Sequence, residues 1–143
     1  MKYLLDTNTC IRYIKGASRS VFERLNAQAE GGVAVCAVVK AELFYGTMHS
    51  QNPSQNLANQ QRFLALFASL PFDDSAATHY GRIRAELARA GTPIGGNDLM
   101  IAAIAIAHNL TLVSHNLREF GRVHGLKLED WETPLNDNKS ENT

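Results

Sequence analysis

Near its start the chain reads Tyr3-Leu4-Leu5-Asp6-Thr7-Asn8, an apolar run that ends in three polar residues. A short apolar run bounded by polar residues is typical of a buried β-strand. In an open α/β sheet, ligands bind in the crevice beyond the carboxyl ends of the strands, so this segment predicts oxygen ligands at such a crevice. The alternative is that Asp6, Thr7 or Asn8 only caps the helix that follows.

Length and composition indicate one globular domain. The chain has 143 residues, of which 45% are hydrophobic and 20% charged, enough to bury a continuous core. Lys plus Arg and Asp plus Glu each number 14, so the net charge does not attract a polyanion. Nucleic-acid binding would therefore need bound metal ions or a local basic patch. The candidate residues for such a patch are Arg12, Lys15, Arg19, Arg82, Arg84 and Arg89. The same residues also fit ordinary solvated helix faces. We expect the domain to span residues 1–133 and residues 134–143 to form a polar, disordered tail.

The cysteines and the apolar segments indicate a cytoplasmic protein without a membrane span. Cys10 and Cys36 lie far apart in apolar segments and show no metal-ligand spacing, so we expect two buried, reduced thiols. No signal peptide is evident, and the stretch from residue 91 to 117 is interrupted by Pro93, Asn97 and Asp98.

Predicted strands and helices alternate along the chain. The uniformly apolar residues 33–39 predict a second buried strand, with a helix from Lys40 to Met48. Residues 70–72 are expected to be an extended link. The other predicted helices cover residues 9–15, 18–30, a segment around Leu57 and Leu64, 73–90, 99–107 and 117–122, and the other strands cover 111–114 and 126–128. This alternation predicts a parallel sheet with helices on both faces.

Three acids occupy related positions in this pattern. Asp6 follows the first strand, Glu42 lies in the helix after the second, and Asp98 begins a helix without charge. Burying like charges together is unfavourable unless a cation neutralises them. Oxygen ligands without converging His or Cys favour Mg²⁺ or Mn²⁺. Such an ion lowers the pKa of a bound water and stabilises charge on a phosphoryl oxygen, which predicts a phosphodiester substrate.

Each of these residues also has a simpler explanation when taken alone. Glu42 fits a solvated helix face, and Asp98 fits a helix cap. Thr7, Asn8 and Ser114 are candidates to orient a carboxylate or a phosphate, but polar residues at strand ends more often satisfy backbone groups. His115 is the one histidine expected near the site, in a surface or supporting role.

Four segments resemble the sequence blocks of VapC-type PIN-domain toxins: residues 4–8 (LLDTN), 41–46 (AELFYG), 92–103 (TPIGGNDLMIAA) and 111–120 (TLVSHNLREF). Together they cover the chain from Leu4 to about Trp131. The resemblance implies a PIN-like three-layer α/β/α sandwich with a central, mainly parallel sheet. It also implies a Mg²⁺-dependent endoribonuclease, the toxin of a type II toxin–antitoxin system, cleaving structured RNA with tRNA as the expected substrate.

The resemblance assigns roles to particular residues. Asp6, Glu42 and Asp98 correspond to the metal-site acids of the family. Asn116 lies where many PIN domains have a fourth acid, which makes it a candidate catalytic residue. Because this position is an amide here, the resemblance leaves open whether the site binds one metal ion or two. Glu119 is a candidate to act through a water, or else a solvated surface charge.

The resemblance also implies protein partners. These are a VapB-type antitoxin, in a toxin–antitoxin hetero-oligomer, and a second copy of the chain in a homodimer. We expect an antitoxin segment to bind a groove lined by Phe44, Tyr45, Phe63 and Phe67, with a cation placed among the acids. The alternative from another class is a non-catalytic, receiver-like module that uses the acidic pocket as a switch.

Overall fold

The computed structural model describes residues 1–134 and contains a five-stranded, wholly parallel sheet, which confirms the predicted α/β class. Its strands are β1 (Tyr3–Leu5), β2 (Val33–Cys36), β3 (Ala68–Leu70), β4 (Thr111–Val113) and β5 (Lys127–Glu129). The spatial order is β3-β2-β1-β4-β5, so the chain runs first to one side of β1 and then to the other. The crevice between the carboxyl ends of β1 and β4 is therefore the expected ligand site.

Seven helices connect these strands within residues 1–134. They are α1 (Thr7–Ile14), α2 (Arg19–Asn26), α3 (Ala37–Met48), α4 (Pro53–Leu64), α5 (Asp74–Ala90), α6 (Gly96–Ala107) and α7 (Leu117–Phe120). Parallel strands need such crossover helices, which cover the faces of the sheet. None of the helices in this part of the chain is long and apolar enough to cross a lipid bilayer.

The core forms where the sequence is least polar. Leu4 and Leu5 on the central strand are fully buried, and so are Ala102 and Ile104 on α6. A helix that is apolar on every side is stable only when other elements cover it. The uncharged sequence of α6 therefore predicted a buried helix. Both cysteines are buried free thiols, as expected.

The end of the second strand differs from the prediction. β2 ends at Cys36 and α3 begins at Ala37, whereas the sequence predicted a strand through residue 39 and a helix from Lys40. Val38 and Val39 are buried from the helix rather than from the sheet. An apolar run looks the same whichever element buries it, and Cys36 gives no side-chain capping bond to mark the change. Glu42 consequently lies in the second turn of α3.

Three other boundaries were also predicted wrongly. Residues 68–70 form the edge strand β3 in register with β2, where the sequence predicted only a link at 70–72. α2 ends at Asn26, so the helix expected over residues 18–30 is shorter. α6 begins at Gly96, which places Asp98 inside its first turn.

The segment after β5 closes the core beside β1. Trp131 is 1% exposed, and its ring packs edge-to-face on Tyr3 with centroids 5.0 Å apart. Its indole nitrogen donates to Glu129 Oε1 at 3.1 Å, and Arg24 pairs with the same carboxylate at 3.2 Å. The boundary predicted after residue 133 stays a prediction, because residues 135–143 of the expected tail lie outside the described residues.

Candidate active site

Asp6 lies at the carboxyl end of β1 and caps α1. Its Oδ1 accepts a hydrogen bond from the Thr9 amide at 2.9 Å, and its own amide donates to the Val113 carbonyl at 3.1 Å. The residue is only 5% exposed. Burial raises the pKa of Asp6 against the opposing hydrogen bonds of Ser114 and Thr9, and the charge of Glu42 raises it further. Asp6 is therefore a helix cap and a member of an acidic cluster at once.

Glu42 approaches Asp6 from α3. Thr7 Oγ1 donates to Glu42 Oε1 at 2.6 Å, which ties the first turn of α1 to the second turn of α3. This contact is consistent with the supporting role predicted for Thr7. Asn8, the next residue, is exposed on α1.

Asp98 is at the electrostatic centre of the cluster. It is half-buried in the first turn of α6. Burial, followed by the charges of Glu42, Glu119 and Asp6, raises the pKa of Asp98 to about 6. A hydrogen bond shared with Glu119 acts in the same direction. The four acids therefore converge electrostatically from four different elements.

Asn116 connects the cluster to Glu119. It is the N-cap of α7, where its Oδ1 accepts from the Glu119 amide at 3.4 Å and its Nδ2 donates to Glu119 Oε2 at 3.1 Å. Ser114 Oγ in turn accepts from the Asn116 amide at 3.0 Å. Glu119, which the sequence left open between site and surface, thus lies among the acids. An Asn followed three residues later by Glu was the available signal, since a short helix places both on one side.

The donor set fits a hard cation that keeps part of its water shell. In the described part of the chain, Asp6, Glu42 and Asp98 do not form a set whose ligand atoms all lie within 4.8 Å of one another. Mg²⁺ characteristically binds one or two carboxylates and retains several waters, so a wider spread suits it. Burial and the neighbouring carboxylates raise the pKa values of Asp6 and Asp98, and a bound cation would offset both effects.

His115 belongs to a different cluster, which the sequence did not reveal. Its Nδ1 lies 2.9 Å from Asp130 Oδ2 and 3.7 Å from Glu132 Oε2, and Glu132 also pairs with Arg12 at 3.4 Å. The hydrogen bond to Asp130 raises the pKa of His115, whose side chain is 62% exposed. These contacts join α1 and the end of β4 to the segment after β5, so we interpret them as structural ion pairs.

The predicted basic patch is partly neutralised within the protein. Arg12 pairs with Glu132, Arg19 with Glu23 at 2.8 Å, and Arg82 with Glu86 at 3.3 Å. Lys15 instead lines a groove of about 240 Å³ between α1, α3 and α4, together with Ile11, Ile14, Leu43 and Glu42. This groove opens beside one of the site acids.

The aromatic groove expected from the sequence does not form. Phe63 is only 6% exposed and packs on Phe67 and Tyr13 with ring centroids 5.0 Å apart. Tyr45 is 69% exposed and contacts His49 instead. The sequence could not separate them, because an aromatic residue on a helix fits a core face and a surface groove equally well.

The raised pKa of Asp98 predicts a specific pH dependence of stability without metal. Its ordinary pKa is 3.8 and its value in the folded protein is about 6, so the folded state binds more protons between these pH values. The free energy of unfolding should therefore fall as the pH rises from about 4 to about 6, and Asp6 acts in the same direction. Urea unfolding in EDTA at several pH values between about 4 and about 6 measures this free energy. Asp98→Asn should flatten the fall, and an unchanged profile would contradict the assignment.

Comparison with known proteins gives a consistent result. Residues 3–126 match the PIN domain family. The tRNA(fMet)-specific endonuclease VapC of Shigella flexneri is 47% identical over 131 residues, which cover 92% of this chain and 98% of that protein. VapBC from Salmonella typhimurium, solved bound to DNA, matches with a TM-score of 0.87 and 44% identity, covering 92% of this chain and 98% of the solved chain. VapBC2 from Rickettsia felis, bound to a DNA fragment from its promoter, matches with a TM-score of 0.86 and 38% identity, covering 92% and 99%.

Proposed function

The chain belongs to the VapC ribonucleases of the PIN domain family, and from this we propose that it is a Mg²⁺-dependent endoribonuclease that cleaves structured RNA as the toxin of a type II toxin–antitoxin system. The observation that carries the proposal is the convergence of Asp6, Glu42, Asp98 and Glu119 on the crevice beyond β1 and β4. A transfer RNA is the proposed substrate, because two relatives at 47% and 44% identity are named tRNA(fMet)-specific endonucleases.

Asp6, Glu42 and Asp98 are the residues that would hold the cation. When bound, Mg²⁺ (or Mn²⁺) supplies positive charge against the scissile phosphate and lowers the pKa of an attacking water. The protein supplies orientation: Asp6 is fixed by the Thr9 amide, and Glu42 by the Thr7 hydroxyl. In the metal-free protein Asp98 loses its proton above about pH 6, which would complete the anionic site for a cation.

Asn116 and Glu119 extend the site toward α7. Asn116 is proposed as a positioning residue, because its amide holds the Glu119 carboxylate by a 3.1 Å hydrogen bond. Glu119 then occupies the role for which many PIN domains use an acid at the position of Asn116. Since the charge of Glu119 raises the pKa of Asp98, a proton or a cation between these two carboxylates would relieve their repulsion.

A VapB antitoxin is the proposed protein partner, since the matching VapBC structures hold both proteins of such a pair. The groove between α1, α3 and α4 is the proposed site for its inhibitory segment, in place of the aromatic groove expected from the sequence. Glu42 lies at this groove, so a cationic antitoxin side chain there would neutralise the acids and compete with the metal. A homodimer of the toxin within the complex remains part of the proposal.

The receiver-like alternative receives no specific support in residues 1–134. Such a module needs a Lys after a late strand, and β4 is followed here by Ser114, His115 and Asn116. Asp6, moreover, is engaged as the N-cap of α1.

Cleavage of RNA by the purified chain tests the proposed function. With Mg²⁺ present, total tRNA should be cut at discrete positions, and EDTA should stop cleavage because the cation is removed. Restoring Mg²⁺ in excess should restore the same fragments, which separates metal loss from unfolding. An unstructured RNA of matched length is the substrate control. Cleavage that continues unchanged in EDTA would contradict the metal-dependent mechanism.

A further inference from the structure

Tyr45 lies at the rim of the proposed active site. It follows Glu42 by three residues on α3, and residues three apart are neighbours on one side of a helix. Its side chain is 69% exposed. The ring packs edge-to-face on His49, one turn further along, with centroids 4.7 Å apart. Tyr45 therefore presents an aromatic face to solvent while its orientation is supported from one side.

The cavity beside Tyr45 is continuous with the acidic site. It has a volume of about 400 Å³ and is bounded by Thr7, Ala41, Glu42, Tyr45 and Asn97. Thr7 and Glu42 are joined by their 2.6 Å hydrogen bond, and Asn97 directly precedes Asp98. The cavity is thus lined by one of the acids that would hold the cation, by the Tyr45 ring and by Asn97, which is exposed.

We propose that this cavity receives one unpaired nucleobase of the RNA substrate, stacked on Tyr45 and hydrogen-bonded at its edge by Asn97. The inference rests on the proposed ribonuclease function and concerns which nucleotide that site accepts. Proteins that read RNA splay unpaired bases onto aromatic side chains and recognise their edges by hydrogen bonds. The Asn97 amide offers both donors and an acceptor for this purpose.

The lining of the cavity matches a nucleotide. The base is a flat aromatic surface that can stack on the Tyr45 ring. The phosphate is an anion that a cation at Glu42 and the other acids would hold. Tyr45 is then a residue that determines specificity and affinity, with no part in moving protons.

Binding of a fluorescent oligoribonucleotide tests the proposal separately from cleavage. The probe is a short single-stranded RNA with 2-aminopurine placed at each position in turn, titrated in the Asp98→Asn background so that it stays intact. Stacking on Tyr45 should quench one labelled position. Tyr45→Phe should keep the quench and the affinity, because the aromatic face remains. Tyr45→Leu should lose the quench and weaken binding by about 5- to 150-fold.

The controls separate the possible failures. Leu66→Ala removes an equally exposed apolar side chain outside this cavity and should leave binding unchanged. Asn97→Ala should weaken binding and change which base is preferred, while Tyr45→Phe does neither. If Tyr45→Leu binds every probe like its parent, or only changes the oligomeric mass in solution, the stacking proposal is wrong and the ring belongs to a protein interface. If the wild-type chain cleaves no RNA with Mg²⁺, the proposed function itself fails.

Discussion

Asp98→Asn is expected to lower the rate of RNA cleavage by roughly 100-fold or more while the protein stays folded. The substitution keeps the shape of the side chain and removes the charge that would hold the cation, whose stabilisation of the transition state is worth several kcal/mol. Because the metal-free carboxylate has a pKa raised to about 6, its charge is unfavourable in the folded protein at neutral pH. The variant should therefore be at least as stable as the wild type in EDTA.

Initial cleavage rates at pH 7.5 and urea unfolding in EDTA measure the two halves of this prediction. Asp6 provides the matched comparison, since it is both a cap and a candidate ligand. Asp6→Asn keeps a side-chain acceptor at the N-cap, so it should lose cleavage activity but keep its stability. Asp6→Ala removes that acceptor, so it should lose both cleavage activity and about 1 kcal/mol of stability. Full cleavage by Asp98→Asn at saturating Mg²⁺ would remove Asp98 from the proposed metal site.

Trp131→Ala is expected to destabilise the protein by about 3–5 kcal/mol, the largest effect on stability that the structure predicts. The side chain is 1% exposed, and its removal would leave a cavity beside Tyr3 and take away the surface under the Arg24 guanidinium, 5.8 Å from the ring centroid. Residue 131 lies beyond the segment 3–126 that matches the family, so the core reaches past the matched region.

Urea unfolding at constant pH gives this free energy if the transition is two-state. Leu66→Ala is the control, because Leu66 is 72% exposed and its truncation should change stability by no more than about 0.5 kcal/mol. Trp131→Phe should give an intermediate loss, since it keeps part of the buried ring. A loss below about 1 kcal/mol for Trp131→Ala would show that the segment after β5 does not support the core.

The sequence correctly predicted the strands and helices that have a clear pattern of apolar and polar residues. The apolar run at residues 3–5 followed by polar residues predicted a short buried strand, and the long uncharged stretch after Asp98 predicted a buried helix. The boundary at Cys36 was wrong because the residues on both sides of it are buried. β3 was missed because two of its three residues are exposed, so its pairing with β2 left no apolar pattern.

Local chemistry along the chain determined the α/β class and the choice of Asp6, Glu42 and Asp98 as candidates, because strand and helix periodicity and the position of an acid after a strand are properties of neighbouring residues. Only the tertiary structure decided that Glu119 joins them through Asn116, and that Tyr45 is exposed while Phe63 is buried. Those relations depend on how α3, α6 and α7 pack around the crevice. Side chains that packing brings together interact through space, and their spacing along the chain does not predict these contacts.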